Sequence, residues 1–197
     1  EELAEIDALL ASDPTLWTPL PGPQTMAYES EADIIGYGGA AGGGKTDLAC
    51  GKSLTAHRKV MILRRVGTEL TAIEDRLEEL IGSKDGYNGQ KGIWRTKRGD
   101  KVDVQIELGS VPNLGDERKY QGRPHDLIVF DEAANFLEAQ VRFLLGWLRT
   151  TTPGQRCQAL LTFNPPTSAE GRWIVGFCAM FMLVAIVSGI ITHKKIF

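Results

Sequence analysis

The sequence predicts an α/β fold in which helices cover both faces of a mainly parallel sheet. Short, continuously apolar strand patterns occur at residues 33–37, 60–63, 127–130 and 159–163. Helical patterns separate them, at residues 45–57, 68–81 and 134–149. Strands that are apolar throughout are buried on both faces, so their alternation with helices is typical of parallel βαβ units.

The other patterns are consistent with one domain of ordinary size. Apolar residues at helical spacing predict a helix over residues 1–12, and the prolines from Pro14 to Pro23 predict an extended lead-in. Residues 82–92 are typical of a loop, and residues 93–96 and 102–108 predict a hairpin. We therefore divide the chain of 197 residues into a lead-in (1–23), a domain (24–173) and an apolar tail (174–197).

Composition narrows the function only a little. The net charge of −3 does not favour nucleic acid as a partner. Basic clusters do occur, at residues 64–65, 95–101 and 118–123, but such clusters are commonly solvated faces. The three cysteines are far apart and have no metal-binding spacing, which favours a reducing compartment.

A glycine-rich segment follows the first predicted strand and begins the first predicted helix. Residues 38–46 read Gly-Gly-Ala-Ala-Gly-Gly-Gly-Lys-Thr, which fits the phosphate-binding loop of nucleoside triphosphatases. In such a loop, backbone N–H groups and the helix N-terminus bind phosphate oxygens. Lys45 would contact the β- and γ-phosphates, and the Thr46 hydroxyl would hold Mg²⁺. The predicted nucleotide contacts in this loop are Gly39, Ala40, Ala41, Gly42, Gly43, Gly44, Lys45 and Thr46.

A pair of acids ends the third predicted strand. Asp131 and Glu132 follow the apolar residues 127–130. An aspartate there can hold Mg²⁺ beside the phosphates, and the adjacent glutamate can deprotonate the attacking water. The pair predicts hydrolysis of the bound nucleotide.

Three further positions are weaker candidates when taken alone. Asn164, at the end of the fourth strand, could contact the γ-phosphate or the water, although Asn-Pro-Pro is also ordinary turn chemistry. Gln24 could bond the adenine edge. Arg64 and Arg65 follow the second strand, and one of them could act as an arginine finger. Arg65 is our candidate, although the sequence does not distinguish it from Arg64.

These pieces together resemble the ATPase part of the large terminase subunit, the viral DNA-packaging motor, over roughly residues 16–174. The matching segments, in chain order, are Pro23-Gln24, residues 38–46, Leu63-Arg64-Arg65, Tyr120-Gln121-Gly122, residues 126–133, residues 162–166 and Gly171-Arg172-Trp173.

The resemblance implies an ATPase of the additional-strand, catalytic-glutamate class of P-loop NTPases, with ATP and Mg²⁺ as cofactors. It assigns the adenine contact to Gln24, Mg²⁺ to Thr46 and Asp131, and the hydrolytic base to Glu132. It makes the stretch containing Asn164 the element that couples hydrolysis to DNA movement. The implied partners are double-stranded DNA, a portal, a small terminase subunit and further copies in a ring, in the host cytoplasm.

The tail departs from that family. Residues 174–192 carry no charge, and His193-Lys194-Lys195 follow, which is typical of a membrane-spanning helix. Large terminases carry a nuclease domain after the ATPase part, and we expect no nuclease activity from the 197 residues of this chain. We expect an altered reading frame or a rearrangement to have produced the tail, which could still act as an anchor. An inactive or membrane-associated nucleotide-binding fragment and a helicase-like ATPase therefore remain alternatives to a packaging motor.

Overall fold

The computed structural model describes residues 16–39, 42–99 and 102–178. Within them, seven strands form one sheet in the order β1-β7-β6-β2-β5-β4-β3. The strands are β1 Ile34–Gly38, β2 Lys59–Arg64, β3 Tyr87–Asn88, β4 Ile93–Arg98, β5 Val102–Ser110, β6 Leu127–Phe130 and β7 Gln158–Phe163. The first five in that order pair in parallel, whereas β4 is antiparallel to both β5 and β3. The predicted helix at 1–12 and residues 179–197 of the tail lie outside the described residues.

Helices cover both faces of this sheet. They are α1 Pro23–Glu29, α2 Lys45–Thr55, α3 Thr71–Ile81, α4 Glu138–Leu145 and a helix that includes residues 173–178. Helices α1, α2 and α3 pack on one face, with Leu48, Ile73 and Leu77 in its core. Helix α4 and residues 173–178 pack on the other face.

The two cores follow from the alternation of side chains along a strand. In β2, Val60 and Ile62 lie in the first core, whereas Met61 and Leu63 lie in the second. All four are fully buried. A strand between two helical layers must be apolar on both sides, which is why its pattern is a continuous apolar run.

Two predicted elements differ from the structure. The helix predicted at 134–149 is divided into a 3-10 turn, Ala133–Asn135, and the shorter helix α4. The Gln140 side chain accepts a hydrogen bond from the Leu137 N–H, which fixes the start of α4 after an extended residue. The helix ends early because the chain at Leu148 forms a bridge with His125.

The second difference is the lead-in. The last residue of the lead-in, Pro23, is the first residue of helix α1. Proline is well suited to the first turn of a helix. Trp17 is 7% exposed and lies over Gly51 of α2. A Cβ atom at Gly51 would lie 2.0 Å from the indole ring. The lead-in therefore packs on the domain at Trp17.

A buried carboxylate aligns the amino ends of two central strands. Asp126 is 1% exposed and accepts hydrogen bonds from the backbone N–H groups of Arg58 and Lys59 at 3.0 to 3.2 Å. The ring of His57 lies 3.2 Å from the same carboxylate. Since Asp126 immediately precedes β6, these bonds hold β2 beside it with Val60 opposite Leu127.

We expect Gly51→Ala to destabilise the protein by about 2 kcal/mol, because the added methyl group would overlap the indole of Trp17. The same change at Gly176 is the control, since a Cβ atom there meets nothing within 4 Å. Gly176→Ala should be neutral or stabilising by up to about 1 kcal/mol, as helix propensity predicts. Urea unfolding measures both, and equal shifts of the two midpoints would contradict the packing of Trp17 on α2.

Candidate active site

The glycine-rich loop leaves the carboxyl end of β1 and enters α2. The Gly39 N–H donates to the Phe163 carbonyl at 3.2 Å, which extends the pairing of β1 with β7 to the start of the loop. Gly42 and Gly44 have φ angles of +82° and +66°, a region that favours glycine. Ala40 and Ala41 lie outside the described residues.

Lys45 and Thr46 are the first residues of α2, as the sequence predicts. The Lys45 amine donates to the Gly39 carbonyl at 3.1 Å, so the side chain folds back over the loop. The Thr46 hydroxyl lies 3.4 Å from an oxygen of Asp131. The structure therefore places the loop, Lys45, Thr46 and Asp131 at the same edge of the sheet.

Asp131 is the point where three strands and the loop meet. Its side chain is 2% exposed and forms an ion pair with Arg64, whose two guanidinium nitrogens lie 2.7 and 2.8 Å from one carboxylate oxygen. The other carboxylate oxygen accepts a hydrogen bond of 2.5 Å from the Thr162 hydroxyl. The ion pair and the hydrogen bonds offset the cost of burying this charge.

Glu132 has an uncommon backbone conformation. Its φ and ψ angles are 59° and 48°, and within the described residues it is the one non-glycine residue with a positive φ. Its N–H donates to the Thr162 hydroxyl at 3.3 Å, and its carboxylate accepts from the Asn135 amide at 3.4 Å. Such a conformation costs on the order of 1 kcal/mol and occurs often at functional sites.

The two consecutive arginines have different surroundings. Arg64 contacts Asp131, as described above. Arg65 donates to the carbonyls of Pro112 at 2.7 Å and Asn135 at 2.9 Å. Arg65 is the first residue after β2, and both of these hydrogen bonds are to carbonyls and not to the carboxylate of Asp131. The assignment of a catalytic role to Arg65 stays a prediction, and Arg64 is the arginine at this site.

Gln24 lies against the glycine-rich loop, and its amide is engaged within the protein. Its nitrogen donates to the Gly44 carbonyl at 3.0 Å and lies 3.3 Å from Asp47, and its oxygen accepts from the Leu20 N–H. The side chain is 2% exposed. An adenine contact would require this amide to exchange at least one of these partners, so that role stays a prediction.

Asn164 follows β7 directly beside the start of the loop. Its side-chain oxygen is buried, and within the described residues it has no hydrogen-bond partner. An unpaired buried acceptor is costly, and it is expected where a ligand or water supplies the missing donor. This observation fits the predicted contact of Asn164 with nucleotide or water.

The sequence alone did not reveal the roles of Thr162 and Asp47. Thr162 joins the Asp131 side chain to the Glu132 backbone. Its position was foreseeable, because β6 and β7 pair in parallel with Phe130 opposite Leu161, so the residues that follow these two, Asp131 and Thr162, lie side by side. Asp47 accepts hydrogen bonds from Trp17 and Arg76, which come from distant parts of the chain that no local pattern connects.

Burial shifts two pKa values in helix α2. Burial, and then the nearby carboxylates of Asp131 and Asp47, raise the pKa of the Cys50 thiol, so it stays neutral beneath the site. Burial, and then Arg156, lower the pKa of Lys52 to about 8. The Lys52 amine donates to the Tyr28 carbonyl at 2.7 Å, which joins α2 to α1.

Solved structures of large terminases have this fold. The large terminase of a thermophilic bacteriophage matches 75% of this chain, at 18% identity and a TM-score of 0.55. The same protein in complex with ADP matches 74% of the chain, at 18% identity and a TM-score of 0.53. The HK97 bacteriophage large terminase matches 87% of the chain, at 12% identity and a TM-score of 0.53.

These matches confirm the predicted fold class, an α/β fold with helices on both faces of a mainly parallel sheet. They cover 39%, 38% and 38% of the three terminase chains, so this chain spans less than two fifths of their length. At such low identity the likeness concerns the fold alone.

The end of the chain matches a different family. A family model described as "PepSY-associated TM region" matches residues 162–197. A comparison with curated proteins found no match. None of the helices in the described part of the chain is both long and apolar enough to cross a membrane.

We expect Arg64→Met to lower the free energy of unfolding by about 3 kcal/mol, because the buried Asp131 carboxylate loses its counter-charge. Arg65→Met, which removes only hydrogen bonds to carbonyls, should cost about 1 kcal/mol. Adding Asp131→Asn to the Arg64 variant should restore most of the loss. Urea unfolding of the four proteins tests this, and equal costs for the two arginines would contradict the assignment of Arg64 to Asp131.

Proposed function

We propose that this chain hydrolyses ATP and couples hydrolysis to the translocation of double-stranded viral DNA, as a motor subunit of the terminase type. The shared fold supports this proposal, together with the resemblance of the motifs around the site. The proposed partners are a portal, a small terminase subunit and further copies in a ring. The proposed location is the host cytoplasm.

The main observation in support of this proposal is that side chains from three different elements contact the Asp131 carboxylate. Thr46 from the glycine-rich loop, Arg64 from β2 and Thr162 from β7 all contact this one carboxylate. Glu132 is the next residue, and Thr162 also fixes its backbone. A loop able to bind phosphate thus lies beside two carboxylates with separate environments, as hydrolysis requires.

In this proposal, the phosphates bind to the loop N–H groups and to Lys45. The Lys45 amine already lies over the loop, so a small rotation would bring it to a bound phosphate. The Thr46 hydroxyl and the Asp131 carboxylate would hold Mg²⁺. Mg²⁺ prefers oxygen ligands, and both of these side chains supply oxygen atoms. The ion pair of Arg64 with Asp131 shows that a positive charge already balances this carboxylate. When bound, Mg²⁺ supplies charge neutralisation at the phosphates.

Glu132 is the proposed general base. Its carboxylate would orient a water molecule, accept one proton and leave the hydroxide oxygen to attack the γ-phosphorus as the bond to ADP breaks. The Glu132 carboxylate accepts from the Asn135 amide, whereas Thr46, Arg64 and Thr162 contact the Asp131 carboxylate. The unpaired oxygen of Asn164 could accept a hydrogen from the same water.

We expect Glu132→Gln to lower the turnover number for ATP by a factor on the order of 100 to 1,000, because the amide cannot accept the proton. Binding of ATP, measured by calorimetry, should be unchanged. The control is Glu138→Gln, which removes an exposed carboxylate paired with Arg142 and should leave turnover intact. Hydrolysis that persists in the Glu132 variant would refute the catalytic assignment.

A second candidate is a membrane-associated nucleotide-binding fragment. The match of residues 162–197 to a membrane-region family favours it, as does the apolar composition of residues 174–192. The first part of that match nevertheless belongs to the α/β domain. Ile174 and Phe177 are 0% and 4% exposed in the second core, and the Trp173 indole donates to the Phe136 carbonyl at 2.8 Å.

Fractionation of cells separates the two candidates. If residues 179–197 act as an anchor, we expect the full chain to sediment with membranes, because the uncharged residues 179–192 would partition into lipid. A chain ending at Cys178 keeps the buried residues of the domain and should stay in the supernatant. Equal distribution of the two chains would remove the support for a membrane-associated fragment.

A further inference from the structure

Within the described residues, one part of the sheet is covered on a single face. In β4 and β5, Trp94, Val104 and Ile106 point into the first core and are buried. The alternate residues, including Arg95 and Lys97, point to the other face and are exposed. Helix α4 covers that second face farther along the sheet, over β6 and β7.

Six basic side chains surround this open face, and we call it the basic groove. They are Arg58, Lys59, Lys91, Arg95, Lys97 and Arg123. They come from three separate parts of the chain (58–59, 91–97 and 123), and the pairing of β2, β5 and β4 brings the first two together. The acidic residues of the groove are Asp103 and Glu107, and Glu107 is buried in an ion pair with Arg123.

Five of these cations form no ion pair within the described residues, although the exposed Asp103 lies opposite Lys97 in the register of β4 and β5. Among the described residues, Arg123 is the one of the six that pairs with a carboxylate. All six residues are exposed. In a chain whose net charge is −3, such a local excess of unpaired positive charge is the electrostatic pattern of a surface that binds a polyanion.

The shape of the groove suits an extended ligand. Two neighbouring depressions, of about 460 and 520 Å³, have Lys59 and Gln105 in common among their lining residues. Arg95 and Lys97 are two residues apart on one strand, which separates them by roughly 7 Å. Regularly spaced cations on a rigid sheet match the repeated charges of a phosphate backbone, whereas a small anion would require them to converge on a point.

We infer that the basic groove binds the phosphate backbone of double-stranded DNA, without reading base sequence. This inference rests on the proposed function for the choice of DNA among polyanions. Lysine and arginine contacts to phosphates fix position but carry no sequence information. Lys59 begins β2 and Arg64 ends it, so the groove lies at the end of this strand opposite Asp131. Bound DNA would therefore leave the nucleotide loop accessible.

The test is binding of the full chain to a labelled duplex of about 30 base pairs, measured by fluorescence anisotropy over a range of salt concentrations. Arg95→Glu/Lys97→Glu should weaken binding at least about tenfold and lower the slope of log affinity against log salt by about 2. The control is Arg118→Glu/Lys119→Glu, an identical charge change at exposed residues outside the groove. The control should lose less than about twofold.

Each of the following results would overturn the inference. If both double variants lose affinity equally, binding depends on overall charge and not on the groove. If the wild type does not bind the duplex at low salt, the groove has another occupant. Self-association that is lost only in Arg95→Glu/Lys97→Glu would identify that occupant as an acidic surface of a second copy. Arg95→Gln/Lys97→Gln, with circular dichroism, guards against a folding defect in the reversed-charge variant.

Turnover of ATP without DNA distinguishes this inference from the proposed function. Arg95 and Lys97 lie outside the active site, so basal turnover should be the same in the wild type and the groove variant. If Arg95→Glu/Lys97→Glu loses DNA binding and the wild type does not hydrolyse ATP, the result supports the groove and refutes the motor. Normal hydrolysis together with duplex binding that Arg95→Glu/Lys97→Glu leaves unchanged would refute the groove and leave the proposed motor supported.

Discussion

The buried carboxylate of Asp131 is the group on whose contacts the candidate active site depends. A charge at 2% exposure is unfavourable unless ion pairs and hydrogen bonds compensate for the lost water. Here the compensation comes from Arg64 and Thr162, which lie at the carboxyl ends of β2 and β7, and from Thr46 at the start of α2. The requirement to satisfy one carboxylate therefore aligns the ends of three strands and the first turn of a helix.

The sheet makes this alignment possible. The parallel strands β1, β7, β6 and β2 end at the same edge, where Gly38 lies beside Phe163, and Phe130 lies between Leu161 and Leu63. At the opposite edge, Asp126 joins the amino ends of β2 and β6 through backbone hydrogen bonds. Two buried aspartates thus frame strand β6, one at each end, and only the one at the carboxyl edge faces the glycine-rich loop.

The fold and the main site residues could be predicted because their signals are local. A continuous apolar run, a glycine-rich loop and an acidic pair each appear within a few neighbouring residues. The choice between Arg64 and Arg65 could not be made, because it depends on which side of β2 faces Asp131. The partners of Gln24 could not be predicted either, since Gly44 and Leu20 meet it only after α1 packs on α2. The basic groove was hidden for a similar reason, as its cations are spread along the chain and meet only when the strands pair.

The backbone of Glu132 has a consequence for how sequences at this position can vary. Any side chain other than glycine carries a conformational cost in the left-handed region, so glycine would relax the turn while abolishing the carboxylate. Selection for folding alone would favour the smaller residue, whereas selection for turnover would keep the acid. In a related protein without selection for turnover, we therefore expect glycine to replace glutamate at the position of Glu132.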